Sequence, residues 1–432
     1  MIATSVFRTM YWNAFLSTSL LVATAAGCVE APNKKALATA LQEALAKDDV
    51  QAVREAAAAT RHALGDQAGV PEVKDKYLPT PKEGRLLQPA EAQRGFTPQF
   101  PQLEKLIWWR IGVDPTKLSQ PLRAPASVLA GCVAVNRAKL DGAERSLAIA
   151  KEAAEFLMWA QTQAGSGGFP FPAARGTSDA RAMEAATRFL DKAEKAGKLS
   201  EVVRNGWAFD DLGDGGLQFD NGECGVAMFE LYELTKDARH LASARKAADW
   251  AAARPLCANW NYNSFSVYLL AKAAEVTGEK NYCGAALQKA IVGVIPGQLT
   301  DGLHAGRWMD AHNARPAYHY IMLRALGQLA AVLPPDEPQR AVVMRALALG
   351  LRTRNQEIVA QGVMNKDKAI EALIMMNRWF SRDKAWLRET ATINALDALG
   401  KLVSEQSRRG QNPLGPREWG LFLEMAGSGQ TK

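Results

Sequence analysis

The chain has 432 residues, room for one large architecture or two ordinary domains, and its 48% apolar and 22% charged content excludes a collagen-like or wholly disordered protein. After the first thirty positions no run of 18 apolar residues occurs, so the body is not read as membrane-spanning. The net charge of +7, from 52 Lys and Arg against 45 Asp and Glu, is spread without a basic run. That argues against nucleic acid as a partner and leaves a mild preference for anionic ones.

Residues 1–28 read as an export signal: Arg8 supplies the positive end, and residues 14–26 form a short apolar stretch that ends in small side chains. Ala25-Ala26-Gly27-Cys28 resembles a bacterial lipoprotein cleavage box, with Cys28 as the lipidated residue. Simple cleavage after an Ala-x-Ala site is the alternative. Either outcome sends the mature chain to the periplasm or the cell surface, touching a membrane only through a lipid anchor. Cys132, Cys224, Cys257 and Cys283 remain, without a C-x-x-C pair. They allow two disulfides, one, or four thiols.

Residues 29–101 read as an N-terminal unit. Positions 34–64 are rich in Ala, Leu, Glu and Lys and predict one or two helices. Positions 65–101 carry six prolines (71, 79, 81, 89, 98 and 101) and predict an extended strap. From residue 102 to 402 amphipathic stretches alternate with loops and strand-period runs are nearly absent, so the class is all-α. Residues 403–432 read as a tail without functional signal.

The body carries a repeat. Tyr232-Glu-Leu-Thr235-Lys-Asp-Ala-Arg-His-Leu241 recurs forty-two residues later, with Thr277 in the place of Thr235, and Leu140 to Leu147 repeats the same spacing upstream. A helical hairpin of about 42 residues predicts stacked units closing into an incomplete or complete α/α toroid, that is, a barrel of helices. In such a stack the short turns lie at one end and the links between hairpins at the other. The links are residues 165–222, 253–263 and 294–315, and they hold the unusual chemistry.

The first link contains Phe169 in Gly167-Gly168-Phe169-Pro170, then Trp207, Asp210, Asp211 and Asp214. Hard oxygen ligands at Asp210, Asp211 and Asp214 make calcium the candidate cofactor; acid–base work or helix caps are the other roles for these carboxylates. The second link alternates amides and rings in Asn259-Trp260-Asn261-Tyr262-Asn263. Rings stack on sugar faces and amides reach hydroxyls, so Trp260, Asn261 and Asn263 are candidate substrate contacts. Core packing for the rings and a helix cap at Asn263 is the competing role. The third link, from Asp301 to Tyr320, holds three of the five histidines. Pro316 predicts a helix start, placing His312, Asn313 and Arg315 at an N-terminus that favours anions, with Asp310 just before them and Tyr318 just after. Arg307 and Trp308 complete the candidate substrate contacts. A structurally satisfied polar network is the alternative for this cluster.

Phe156-Leu-Met-Trp159-Ala-Gln161 followed by Gly167-Gly168-Phe169-Pro170 is similar to a segment of toroidal pectate lyases. The region 102–402 resembles the α/α-toroid carbohydrate-active enzymes, which include pectate and alginate lyases and six-hairpin glycoside hydrolases. The resemblance implies an exported enzyme acting on an anionic polysaccharide or oligosaccharide, first of all a lyase that cleaves a uronate-containing glycan by β-elimination. Such chemistry must neutralise a carboxylate, remove the acidified proton and protonate the leaving oxygen. Arg315, Arg307 and Asn313 are candidates for the first task, and His312 and Tyr318 for the proton transfers. A hydrolase would instead pair Asp310 with Asp210, Asp211 or Asp214. A non-catalytic glycan-binding surface lipoprotein is the third reading.

Overall fold

A computed structural model describes residues 34–72, 77–106, 114–118, 120–175 and 181–427. The export signal and Cys28 lie outside the described residues. The described residues begin with α1 (Lys34–Ala46) and α2 (Val50–Leu64), which pack on each other. Asp49 starts α2 by accepting the N–H groups of Gln51 and Ala52. The proline-rich segment is extended only in part. Leu78 pairs with Val363 through two backbone hydrogen bonds of 2.8 Å, whereas its second half folds into α3 (Pro89–Phe96) and α4 (Phe100–Leu103). Prolines at the first helical positions explain the difference, because their missing N–H groups cost nothing there.

Next come the pairs α5 (Arg123–Ala138) and α6 (Ala143–Ala164), then an insertion holding α7 (Arg181–Lys195) and α8 (Leu199–Val202). The insertion also contributes β1 (Phe171–Pro172), β2 (Val203–Arg204) and β3 (Trp207–Ala208), an antiparallel patch in the order β1-β3-β2. Hairpins resume with α9 (Leu217–Thr235) and α10 (Ala238–Ala253), α11 (Trp260–Thr277) and α12 (Lys280–Gly293), and α13 (Pro316–Val332) and α14 (Arg340–Gln361). Then follow α15 (Lys366–Trp379), α16 (Lys384–Glu389), α17 (Thr392–Arg408) and α18 (Pro416–Gly427). The protein is mostly helical, as the all-α reading expects.

The matched threonines have one job. Thr235 donates to the carbonyl of Leu231 and accepts the N–H of Asp237, and Thr277 donates to Ala273 and accepts the N–H of Glu279. Each closes one helix and opens the next. The period itself does not persist: α9 and α11 start 43 residues apart, whereas α11, α13, α15 and α18 start at residues 260, 316, 366 and 416. Links of unequal length between the hairpins account for the drift.

Burial separates two kinds of helix. α9, α11 and α13 are buried along most of their length, while α10 buries only a stripe from His240 to Ala251. The buried set packs in sequence, α5 on α9, α9 on α11, α11 on α13, α13 on α15 and α15 on α18, and α18 packs on α5. The sixth member of this set therefore lies beyond residue 402, in the segment expected to be a tail. Small residues allow the last contact. A methyl group on Gly131 of α5 would strike the Pro416 carbonyl, and one on Gly420 of α18 would strike the Gly131 carbonyl.

Charge is buried among these helices. Arg324 of α13, 1% exposed, pairs with Glu223 of α9 at 2.6 Å and with Glu371 of α15, and Arg417 of α18 joins Glu371 at 2.6 Å. Burial alone would raise both carboxyls, yet the surrounding cations hold them below the usual range. The four described cysteines, Cys132, Cys224, Cys257 and Cys283, are free thiols, with burial pushing Cys257 up to about 12. Among the described residues no disulfide joins the helices. Arg324→Met, which strands the buried Glu223 carboxylate and leaves Glu371 to Arg417 and Lys368, should lower the unfolding free energy by about 3–5 kcal/mol in urea titrations. Arg352→Met, at the exposed pair with Glu389, should cost about 0–1 kcal/mol. Equal losses would remove the cluster's special role.

Candidate functional site

The first turns of α5, α9, α11 and α13 meet at one end. Arg123, at the start of α5, pairs with Asp220 of α9 at 3.1 Å and lies 4.2 Å over the Phe219 ring. Phe219 stacks on Phe265 of α11 at 4.1 Å, and Tyr262, Ile321, Cys257 and Tyr318 pack into the same apolar cluster. Tyr318 carries the cluster to the third link, where its ring stacks on His312 at 4.5 Å and 24°. The Arg315 guanidinium lies 5.4 Å from the Tyr318 ring centre. Thus the expected helix start at Pro316 brings His312, Arg315 and Tyr318 together.

Their neighbours position them. Asp310 accepts the Asn313 N–H at 2.8 Å and the Asn313 amide at 3.0 Å, while the Asn313 carbonyl oxygen accepts the Asn261 N–H at 3.2 Å. Asn313 is thereby a brace between the second and third links, and both it and Asp310 are engaged within the protein. Asn261 is fully buried, and neither atom of its amide has a hydrogen-bond partner among the described residues. Burial lowers the His312 imidazole below its ordinary value, with Asp310 and Glu72 opposing and Arg315 assisting. Its Nδ1 sits 3.8 Å from Glu72, and its Nε2 has no hydrogen-bond partner among the described residues. Burial pushes the Tyr318 phenol up to about 12, against the pull of Arg315 and Arg123. At neutral pH a neutral imidazole therefore faces a neutral phenol.

A pocket lies beneath α7, with about 600 Å³ of space that includes open solvent; His312, Arg315 and Tyr318 are not in its lining, and Tyr262 connects it to their cluster. Arg123, Asp211, Asp214, Asp220 and Tyr262 line it together with Phe171 and Phe189. The calcium expectation fails here. Arg254 holds Asp210 and Asp211 at 2.6 Å each, and Asp211 also accepts the N–H groups of Gly213 and Leu217 at the start of α9. Asp214 accepts the Gly216 N–H and lies 3.8 Å from Lys192. Among the described residues no group of three or more His, Cys, Asp or Glu is arranged to hold a metal ion.

The expected aromatic platforms are core residues instead. Phe169, Trp207, Trp260 and Trp308 are buried and unable to meet a sugar face. Trp207 packs edge-on against Trp159, Trp260 lies beneath Gly297, and Trp308 donates its indole N–H to Val294. The Phe169 N–H is held by Asn221. Asn263 is no surface contact either: it accepts the Cys257 N–H and donates to the carbonyls of Cys257 and Gly293. Nor does it cap α11, since Asn259 does so by accepting the Asn261 N–H. Arg307 ties the third link to Glu357 and to the Gly69 carbonyl. Arg123, Asp220 and Tyr262 were not among the expected residues, although charge in the first turn of an apolar helix pointed to the first two.

No family model matches the sequence, and no curated protein matches it. Among solved structures, a polysaccharide lyase resembles 70% of this chain and 88% of its own length, with a TM-score of 0.44 and 13% identity.

With Asp210 and Asp211 held by Arg254, neither calcium nor a chelator should shift the melting temperature in thermal denaturation. A rise with added calcium would restore the three aspartates as ligands.

Proposed function

We propose that the protein is a polysaccharide lyase that cleaves a uronate-containing glycan by β-elimination, working outside the cytoplasm with Cys28 as its lipid anchor. In this reading the order α5–α9–α11–α13–α15–α18 and back to α5 is an α/α toroid, and the shared helix starts are its mouth. The observation that carries the proposal is the neutral His312–Tyr318 stack flanked by Arg315.

Each group has one task. Arg315, next to the helix start, binds the substrate carboxylate and offsets the charge that develops when the adjacent C–H bond ionises. His312, neutral and stacked on Tyr318, takes that proton on its imidazole. The C4–O4 bond breaks as the C4=C5 double bond forms, and Tyr318 donates its phenolic proton to the departing oxygen. His312 then returns a proton to Tyr318 through solvent. Asp310 and Asn313 touch no substrate; they fix the loop that carries His312. Hydrolysis is less well supported, because Arg254 holds Asp210 and Asp211 while Asn313 holds Asp310.

Incubation with uronate polymers should give the ultraviolet absorbance of an unsaturated uronide. His312→Ala and Tyr318→Phe should each lower kcat by about 10²–10⁴-fold, and Arg315→Ala should act mainly on KM. Because His312 works unprotonated and its basicity is depressed, the acid limb of the rate profile should fall below pH 6.5 and vanish in His312→Ala. Tyr318 keeps its proton until about pH 12, so no alkaline limb should appear near neutrality. Reducing ends released from a neutral polymer, with no absorbance on any uronate, would replace this reading with hydrolysis. Labelled palmitate should enter the wild type and not Cys28→Ala.

A further inference from the structure

We propose that the pocket beneath α7 is a subsite for an uncharged sugar residue, so that the substrate glycan carries a neutral hexose beside its uronate. The placement of the uronate rests on the lyase reading; the preference for a neutral ring rests on the lining of the pocket alone.

Part of that lining is apolar. Phe171 of β1 and Phe189 of α7 are half-buried, meet edge to face at 5.3 Å, and are joined by Pro172 and Ala186. Such a surface suits the C–H face of a pyranose. The rest is acidic. Asp211, Asp214 and Asp220 line the pocket, and each has a cation beside it: Arg254 at 2.6 Å, Lys192 at 3.8 Å and Arg123 at 3.1 Å. A second carboxylate entering here would find the lining guanidinium already engaged by Asp220 and no other cation among the described residues of the lining to receive it. A hydroxyl would be welcomed. Asp220 is 4% exposed, Arg123 engages its Oδ2, and its Oδ1 has no hydrogen-bond partner among the described residues. A buried acceptor left in that state is costly until a donor arrives. Tyr262 belongs both to this lining and to the apolar cluster on which Tyr318 packs, so one side chain separates the pocket from the His312–Tyr318 stack.

Methyl glycosides of glucose, galactose and mannose, and sodium glucuronate, would be titrated into the full chain by saturation-transfer NMR. At least one neutral glycoside should bind and weaken about tenfold in Phe189→Ala, the loss of one ring face, while glucuronate binding should be indifferent to that change. Phe189→Leu, which keeps apolar bulk without a flat face, should behave like Phe189→Ala. Glucuronate weakened as much as the neutral glycoside, or no glycoside sensitive to Phe189, would overturn the assignment. Elimination should run faster on an alternating uronate–hexose polymer than on a homouronan, with the preference lost in Phe189→Ala. Equal rates would sink the subsite and leave the lyase reading standing. Phe189-dependent glycoside binding without elimination on any polymer would support the subsite and remove the lyase reading.

Discussion

Arg324 lies wholly inside the protein, and its guanidinium bridges carboxylates from two other helices, Glu223 and Glu371, while Arg417 from a fourth completes the set. Buried charges tolerate little displacement, because each is stabilised only while its partner stays within a few ångströms. Four helices distant in sequence are thereby fixed in one axial register. Apolar packing alone would leave that register loose, since long Ala- and Leu-rich faces can slide with small loss. The cations also decide the charge state of the carboxyls: desolvation works to protonate Glu223 and Glu371, and the surrounding guanidinium groups overrule it.

Register matters because the site is assembled from helix starts. Arg123, Asp220, Tyr262 and Tyr318 each lie within the first turns of a different core helix, and a slip of one residue in any of them would redirect its side chain by about 100°. The links add the chemistry that helices position poorly by themselves. Asn313 illustrates this: a single side chain joins Asp310 in its own loop to the backbone of Asn261 at the start of the neighbouring helix.

Much of this was legible in the residues, and the failures share a physical cause. Thr235 and Thr277 announced a helical hairpin because a hydroxyl that ends one helix and starts the next must recur at the same place. Pro316 announced the start of α13. What residue type could not convey was the side of the wall on which a link residue lies. Trp260 opens α11, yet its ring turns beneath Gly297; Tyr262, two positions on, lines the pocket. Asn263 carries the same chemical groups as a sugar contact, but tethers two backbone segments. Gln, Arg and Gly residues ahead of α18 give its segment the composition of a tail, although Gly415-Pro416-Arg-Glu418 followed by Trp419-Gly-Leu-Phe-Leu is a helix start before an apolar run. The aspartates of the first link have the chemistry of metal ligands, but Arg254, 43 residues beyond Asp211, engages both Asp210 and Asp211.

α18 brings Arg417 to the charge cluster and fits its Gly420 against Gly131 of α5, so it touches the earliest of the core helices while being translated after every one of them. Until that last stretch leaves the ribosome, Glu371 lacks one of its partners and the α5 flank stays uncovered. The growing chain thus holds an unfinished core while every helix from α5 to α17 is being made, and only the arrival of α18 brings the first and the sixth core helix together.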